Sequence, residues 1–381
     1  MPRLAPPIAA ALAAILVAGC AVAAEPRPEP APGPIASSAS PIARAATSTD
    51  APPTPSPAPT PSASPPVGFD RLRVFVTSES TDSVWVLEGG AQFAVVGRIP
   101  VGRMPHNIAV SPGGRWIAVG NRLANSVSII DPLGQRELAR VGVGRQPHDL
   151  AWHPDGRTLF VGHERDTYIG RIEAGSWKPL APLVVGLPQH DLAIARTRPS
   201  ELFFTVTNSG EADHLRVYDL GTGAITRFAV QDVHDVFFTP DASEVWTTSS
   251  GFLHVTSDRL VAHDPATKRV KEEFRLPGRY PFHTIKEGRD GAFFPPPGTP
   301  MLLSDHAGPS LLFIDPVTRR VIAETAVGPQ PFHTTFDPLR QRLLVTSNAD
   351  GAVRVIDLAT RAVVQRIDVP TAHGIVAVGV P

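Results

Sequence analysis

The stretch that decides the fold runs Pro105-His106-Asn107-Ile108-Ala109-Val110-Ser111-Pro112-Gly113-Gly114, then Trp116-Ile117-Ala118-Val119, then Val127-Ser128-Ile129-Ile130-Asp131, and then Glu137-Leu138-Ala139-Arg140-Val141. Its four segments are short and rich in β-branched residues, and turn-forming residues separate them. This pattern predicts four consecutive β-strands joined by tight turns.

The same unit recurs along the chain, and each copy opens near a histidine. Successive anchors are 42, 42, 44, 49 and 50 residues apart, at His106, His148, His190, His234, His283 and His333. A repeated four-stranded unit of about 40–45 residues is typical of a β-propeller blade. Three strands precede the first anchor, at 74–76, 84–86 and 93–96, and one leading strand, 373–378, follows the last repeat. Together they supply a seventh blade, so we predict an all-β, seven-bladed β-propeller of four-stranded blades over 68–381.

The repeat resembles that of the YVTN (YncE-like) family of propeller proteins. The best copies are 105–143 and 329–369, the second containing Leu344-Val345-Thr346-Ser347-Asn348 and Val353-Arg354-Val355-Ile356-Asp357. The resemblance implies the architecture and says little about activity, because propellers serve as binding modules, scaffolds and enzymes. The sequence departs from the repeat mainly in blade five, where 286–300 carries a Pro-rich insertion whose role stays open.

The first 24 residues have the pattern of a secretory signal, with an apolar run of 11 residues from Ile8 to Ala18. Val17-Ala18-Gly19-Cys20 follows and resembles the lipobox of bacterial lipoproteins, which implies acylation of Cys20 and a lipid anchor in a membrane. Ordinary cleavage after Ala23 or Ala24 is the alternative. Either interpretation predicts an exported protein, in the periplasm or at the cell surface.

Residues 25–67 hold 14 prolines in 43 positions and show no apolar period, which predicts a disordered, extended linker. The 35 basic residues nearly balance the 36 acidic ones, so no nucleic-acid partner is expected. A single cysteine excludes a disulfide framework and a Cys-based zinc or iron–sulfur site. Any metal site must therefore use histidine, carboxylate or backbone oxygen.

One histidine stands near the start of the leading strand in every blade. The set is His106, His148, His190, His234, His283, His333 and His373. Leading strands lie innermost in a propeller, so the pseudo-symmetry directs all seven imidazoles toward one axis. Imidazole suits zinc, copper, iron and nickel, and seven rings exceed the need of one ion. We predict a transition-metal site, copper before zinc, at this ring.

The ends of second strands return to the same face, which places further candidate ligands near the rim. These are His163, Asp305 and His306, with Glu79 and Glu164 beside them. Asp149, Asp191 and Asp235 directly follow ring histidines and could orient the imidazoles as hydrogen-bond acceptors. The remaining histidines fall in turns or outer strands and are expected at the surface: His153, His214, His254 and His263.

The histidine arrangement is similar to that of the propeller domains of nitrous oxide reductase and thiocyanate dehydrogenase, and also to exported propeller zinc chaperones. That similarity implies a copper or zinc cofactor, without deciding between a metal chaperone and a metalloenzyme. No hydrolase elbow, metalloprotease helix or phosphate-binding loop occurs in a fitting context, so catalytic residues stay unassigned. The alternative function is an interaction scaffold, with structural histidines and a periplasmic protein partner.

Overall fold

The computed structural model describes residues 69–206, 214–231, 233–239, 241–249, 259–276, 282–284, 300–306, 308–315 and 317–380. The signal region with Cys20, the linker 25–67, most of the insertion 286–300 and the side chain of His283 lie outside the described residues. In the part that is described, no helix is both long and apolar enough to cross a bilayer.

The strands of the first half begin at the N-terminal blade segment and run through three complete blades. In chain order they are β1 (Arg71–Ser78), β2 (Ser83–Gly89), β3 (Phe93–Pro100), β4 (Pro105–Val110), β5 (Ile117–Asn121), β6 (Ser126–Asp131), β7 (Arg136–Gly142), β8 (Pro147–Trp152), β9 (Thr158–His163), β10 (Tyr168–Glu173), β11 (Pro179–Val184), β12 (Gln189–Ala193), β13 (Glu201–Val206), β14 (Leu215–Asp219) and β15 (Ile225–Phe228). One 3-10 turn, Glu79–Thr81, follows β1.

The second half contains three more complete blades and the closing strand. Its strands are β16 (Val233–Phe238), β17 (Val245–Ser249), β18 (Arg259–Asp264), β19 (Arg269–Arg275), β20 (Phe282–Thr284), β21 (Met301–Asp305), β22 (Ser310–Ile314), β23 (Val321–Ala326), β24 (Pro331–Asp337), β25 (Arg342–Ser347), β26 (Ala352–Asp357), β27 (Val363–Asp368) and β28 (Ala372–Val380). Blades 1 to 6 are therefore β4–β7, β8–β11, β12–β15, β16–β19, β20–β23 and β24–β27.

Blade 7 combines the two ends of the fold. Its sheet order is β28-β1-β2-β3, with β28 antiparallel to β1 from Arg71↔Val380 to Ser78↔Ala372. The first strand of each blade contacts the first strands of both neighbouring blades, which completes a circle around the axis. The prediction of a seven-bladed β-propeller, closed by three N-terminal strands and one C-terminal strand, is confirmed.

The hydrophobic core is divided among the gaps between blades. Each of the seven buried clusters joins two adjacent blades. In one of them Phe75 and Val86 of blade 7 meet Ile108 and Ile117 of blade 1. Inner strands are mostly buried, and Pro105–Val110 is wholly buried, whereas outer strands face water on one side. The decrease in burial from the inner to the outer strands explains the sequence pattern. Inner strands are rich in apolar residues along their length, whereas in outer strands apolar and polar residues alternate.

Aspartate side chains form the turns after the third strands. Asp131 Oδ1 accepts the backbone N–H groups of Leu133 and Gly134, both at 3.0 Å. The same arrangement recurs after four other third strands, at Asp219, Asp264, Asp315 and Asp357. These aspartates therefore close turns, which is the role that their Asp-Pro and Asp-Leu contexts indicate.

In blades 3, 6 and 7 a threonine of the second strand ties the inner strand to that of the next blade. Thr346 Oγ1 accepts the backbone N–H of His333 at 3.0 Å and donates to the carbonyl of His373 at 2.6 Å. Thr77 and Thr205 repeat this bridge, donating to the carbonyls of His106 and His234. Hydroxyl groups thus fix the backbone at His106, His234, His333 and His373.

Replacement of one such hydroxyl is expected to loosen the ring. Thr346→Val keeps the shape of the side chain but removes both bonds at a fully buried position, so the free energy of unfolding should fall by about 1–3 kcal/mol. Urea denaturation measures this difference. Thr226→Val, at an exposed position on β15, is the matched control and should change stability by less than about 0.5 kcal/mol. Equal effects of the two substitutions would contradict the bridge.

Candidate metal centre

Six ring histidines lie in one continuous series, which we call the histidine arc. It runs in space as His333, His373, His106, His148, His190 and His234. Neighbouring ring centroids along it are 5.1, 3.7, 4.8, 4.0 and 4.1 Å apart. All six residues are buried, and each lies near the start of the innermost strand of its blade. The sequence predicted a ring of seven imidazoles, and the described residues place six of them side by side in this arc. For His283 only the strand, β20, is described.

The centre of the arc is a chain of short polar contacts. Glu79 Oε1 lies 2.6 Å from His106 Nδ1, and His106 Nε2 lies 3.1 Å from His148 Nε2. His148 Nδ1 lies 2.7 Å from the carbonyl oxygen of His190. A carbonyl only accepts, so Nδ1 of His148 carries the proton and, in the neutral ring, Nε2 presents a lone pair. The contact between His106 and His148 is therefore either a hydrogen bond donated by His106 Nε2 or the place of an ion shared by the two nitrogens.

A second set of side chains surrounds the arc at one repeat position, the residue directly after the second strand of a blade. We call this the rim position; the described residues that occupy it are Glu79, Arg122, Glu164, His306 and Asn348. Glu164 Oε1 lies 3.6 Å from His148 Nε2. Asn348 Nδ2 donates to Glu79 Oε2 at 3.2 Å. The rim position thus adds carboxylates to the imidazoles.

Ligand-type atoms gather at three places along the arc. In each group one nitrogen or oxygen atom per residue lies within 4.8 Å of the others. The groups are Glu79 with His106 and His373, His148 with Glu164 and His190, and His190 with His234 and Asp235. The first two are adjacent through the His106–His148 contact. The arrangement can therefore hold more than one ion.

The electrostatics of the site favour the neutral form of His106. Burial, together with the neighbouring His373 and His148, holds the pKa of His106 well below its usual range. Burial raises the pKa of Glu79 to about 7, although Asn348 and Arg122 oppose the shift. Burial also acts to raise the pKa of Glu164, but His148 and Arg122 together outweigh it and lower that pKa. Neutral imidazole is the form that binds a metal ion.

The donors fit a small transition-metal ion. Imidazole nitrogens bind zinc at about 2.0–2.1 Å, and two ligands on a tetrahedral ion are then about 3.3 Å apart. The observed distance of 3.1 Å between His106 Nε2 and His148 Nε2 is close to that separation. Glu79, beside Nδ1 of His106, is placed to accept the proton that a ring bound through Nε2 must carry on its other nitrogen.

The three additional metal ligands predicted at the ends of second strands, His163, Asp305 and His306, lie in three different environments. His163 is fully buried, and its Nδ1 donates to the carbonyl of Tyr168 at 3.0 Å, within its own blade. Asp305 is buried beside Gly308, where an added Cβ would overlap the carboxylate. His306 packs against Phe332 with centroids 4.3 Å apart, and Phe332 in turn contacts His373. None of the three belongs to the ligand groups found among the described residues.

The aspartates that follow ring histidines act mainly between blades. Asp149 Oδ2 accepts the backbone N–H of Leu192 at 2.7 Å, and Asp191 Oδ2 accepts that of Val236 at 2.8 Å. Each contact joins one inner strand to the next. Asp235 also lies close to its own histidine, with Oδ1 2.9 Å from His234 Nδ1.

The expectation that the remaining histidines lie at the surface is wrong for two of them. His214 and His263 are 1% and 0% exposed. His263 Nε2 pairs with Thr247 Oγ1 at 2.9 Å, and burial lowers the pKa of His263 to about 4. Its strand is the third of blade 4, which the neighbouring blades cover on both faces. His153 is partly exposed in its turn, as predicted, and His254 lies outside the described residues.

The fold and the arc define a β-propeller with a histidine cluster on its axis. No protein-family model and no curated protein matches the chain, so the YVTN resemblance stays a prediction. Solved structures do match. Hydrazine synthase from Kuenenia stuttgartiensis aligns with a TM-score of 0.63 and 16% identity over 75% of this chain and 92% of that chain. Dihydro-heme d1 dehydrogenase NirN, in complex with DHE, aligns with a TM-score of 0.58 and 18% identity over 80% of this chain and 74% of that chain. At these identities the likeness shows the fold alone.

Proposed function

We propose that this chain is an exported, membrane-anchored propeller that binds a transition metal at the histidine arc, copper before zinc, as a metal-binding protein or metalloenzyme. One observation carries the proposal: three groups of imidazole and carboxylate atoms lie within 4.8 Å, side by side along one buried arc. Such a density of nitrogen donors suits metals that prefer nitrogen ligands.

The donor set supports copper before zinc on chemical grounds. Calcium and magnesium take oxygen ligands, whereas the arc offers mainly imidazoles. For nitrogen donors the affinity order of divalent metals places copper above zinc. The number of imidazoles also exceeds the four ligands of one tetrahedral zinc, which favours a centre with two or more ions.

The residues around the ions would have distinct roles. His106, His148, His190 and His373 would supply nitrogen ligands, and Glu164 would supply Oε1. Glu79 would hold His106 by its Nδ1–H while Asn348 fixes the second oxygen of Glu79. A copper centre of this kind supplies reversible electron transfer when the metal is bound. The protein would contribute a buried, rigid cradle fixed by Thr77 and Thr346.

Metal analysis with an absorption spectrum tests the proposal. Protein purified from metal-replete cells should contain at least one equivalent of copper or zinc, and copper should give visible absorption. Because a ligand that binds only the native state raises stability, added metal should also raise the melting temperature of metal-free protein. If copper and zinc leave the melting temperature of the metal-free protein unchanged, the proposal is overturned and the alternative function as an interaction scaffold is favoured. A Soret band would instead indicate a haem-type ligand, such as the DHE named with NirN.

Membrane attachment rests on the Val17-Ala18-Gly19-Cys20 stretch. Cys20→Ser should abolish acylation and move the exported protein from the membrane fraction to the soluble fraction. Detergent-phase partitioning with mass spectrometry of the mature N-terminus measures this. A mature N-terminus at residue 24 or 25 in the unaltered protein would show ordinary cleavage and contradict the anchor.

A further inference from the structure

Arg122 occupies the rim position of blade 1, between the first two ligand groups. Its Nε donates to Glu164 Oε2 at 2.9 Å, and its Nη2 donates to the same oxygen. Its charge also opposes the rise that burial causes in the pKa of Glu79 and adds to the lowering of the pKa of His106. Arg122 is thus a fixed cation directly beside the sites at which a metal ion would bind.

Arg122 has N–H donors left for a second ligand besides Glu164. The two bonds to Glu164 use two of the five N–H donors of the guanidinium. The side chain is 28% exposed, whereas the arc histidines below it are buried. The free part of the guanidinium is therefore accessible from solvent while it remains within the electrostatic range of the arc.

Glu164 divides its two oxygens between the metal side and the arginine side. Oε1 lies 3.6 Å from His148 Nε2, and Oε2 holds Arg122. An ion bound through Oε1 would leave the Arg122 contact in place. A divalent ion and Arg122 carry three positive charges against the two carboxylates of the first two groups, Glu79 and Glu164, so the loaded site has a net positive charge, and a second ion would increase it.

Further arginines flank the same sector of the mouth. Arg103 and Arg145 lie in the loops that lead into β4 and β8, and Arg165 directly follows Glu164. All three are exposed, and Arg145 pairs with Asp166. Positive charge around a cleft raises the local concentration of anions and speeds their arrival. The approach to Arg122 is therefore suited to a negatively charged molecule.

We propose that the metal centre takes a small anion, a carboxylate or oxyanion, and that Arg122 binds this anion beside the ion. The proposal rests on the proposed function, because it names the class of molecule that the same centre accepts. A planar guanidinium matches a carboxylate or oxyanion by paired hydrogen bonds, which a lysine or amide does not reproduce. Arg122 is then both a support for Glu164 and the recognition group for the ligand.

Fluorine NMR with trifluoroacetate tests the proposal, and trifluoroacetamide serves as the neutral probe of the same shape. Zinc-loaded protein should shift the trifluoroacetate signal saturably and leave that of trifluoroacetamide almost unchanged. Arg122→Gln should weaken trifluoroacetate binding about tenfold or more, because a charge-assisted bond is lost. Arg122→Lys, which keeps the charge but loses the planar pair of donors, should bind with intermediate strength.

Two matched variants distinguish specific binding of the anion by Arg122 from non-specific attraction of anions to the positively charged face. Arg145→Gln and Arg103→Gln remove arginines from the same face without touching the Glu164 contact, and each should weaken binding by less than about threefold. If Arg122→Gln retains zinc and binds trifluoroacetate as well as the unaltered protein, the anion proposal is wrong and the metal proposal stands.

Metal binding is measured separately for every variant, by zinc content and by the melting temperature with and without zinc. If the unaltered protein binds no metal, the proposed function fails. The metal-free protein is then titrated with trifluoroacetate: binding that depends on Arg122 would preserve an anion site, and its absence would overturn this inference as well.

Discussion

The double substitution His106→Ala/His148→Ala is expected to weaken metal binding at least about a hundredfold. These two rings join the adjacent ligand groups through the 3.1 Å contact between their Nε2 atoms, so each group loses a nitrogen donor. Loss of a residue that only supports a ligand already costs 10–100-fold in affinity, and loss of two ligands should cost more. Competition with a chelator of known affinity measures the change.

Two controls keep this result interpretable. His153→Ala removes an imidazole from a turn, where it pairs with Asp155, and should leave metal affinity unchanged. His106→Gln/His148→Gln retains hydrogen-bonding capacity if the alanine variant folds poorly, as its unfolding curve without metal will show. Metal affinity that stays within threefold of the unaltered protein in a folded double variant would rule out a centre at the first two ligand groups.

Glu79→Gln is expected to move stability and metal affinity in opposite directions. The folded-state pKa of Glu79 is about 7, raised by burial from an ordinary value of 4.5, so the folded protein holds this proton more tightly than the unfolded chain. Stability is therefore lost as pH rises from about 4.5 to about 7, by about 3 kcal/mol from this group alone. Without metal, Glu79→Gln should be more stable than the unaltered protein at pH 8 and should lose that advantage by pH 5.

The same substitution should weaken metal binding at pH 8 by about 10–100-fold, because the carboxylate no longer accepts the Nδ1–H of His106. Denaturant unfolding of metal-free protein and chelator competition, each at pH 5 and pH 8, give the two readouts. Glu137→Gln, on the partly exposed outer strand β7, is the control and should change stability by less than about 1 kcal/mol. A loss of stability at pH 8 in Glu79→Gln would show that the buried carboxylate is structural.

The fold was predictable because copies of one strand-and-turn pattern recur along the sequence. His148 to Gly156 restates Pro105 to Gly114 at a spacing of 42 residues, and strand periodicity follows from the turns between. The incomplete units at 74–96 and 373–378 could be combined only because a propeller must close. Burial of His214 and His263 was not predictable in this way, since it depends on how neighbouring blades cover a third strand.

The rim position shows where prediction from the sequence ended. Placing second-strand ends at the mouth was sound, and Glu79 and Glu164 do lie beside the arc. Side chains of successive residues point in opposite directions, so His163 faces its own blade while Glu164 faces the imidazoles. Arg122 and Asn348 were missed. Aligning the repeats on Thr77, Gly120, Gly162 and Thr346 would have placed both in one column with the two glutamates.

The closure of blade 7 also sets the order in which the site can be assembled. His373 lies on β28, the last described strand to be synthesised, and it stacks on His106 with centroids 3.7 Å apart. Until β28 pairs with β1, His106 lacks this neighbour and Thr346 lacks the carbonyl that it holds. A chain that stalls before its final strand therefore presents open imidazoles and no finished cradle. Of the three ligand groups, the one that contains His373 therefore depends on this closing strand.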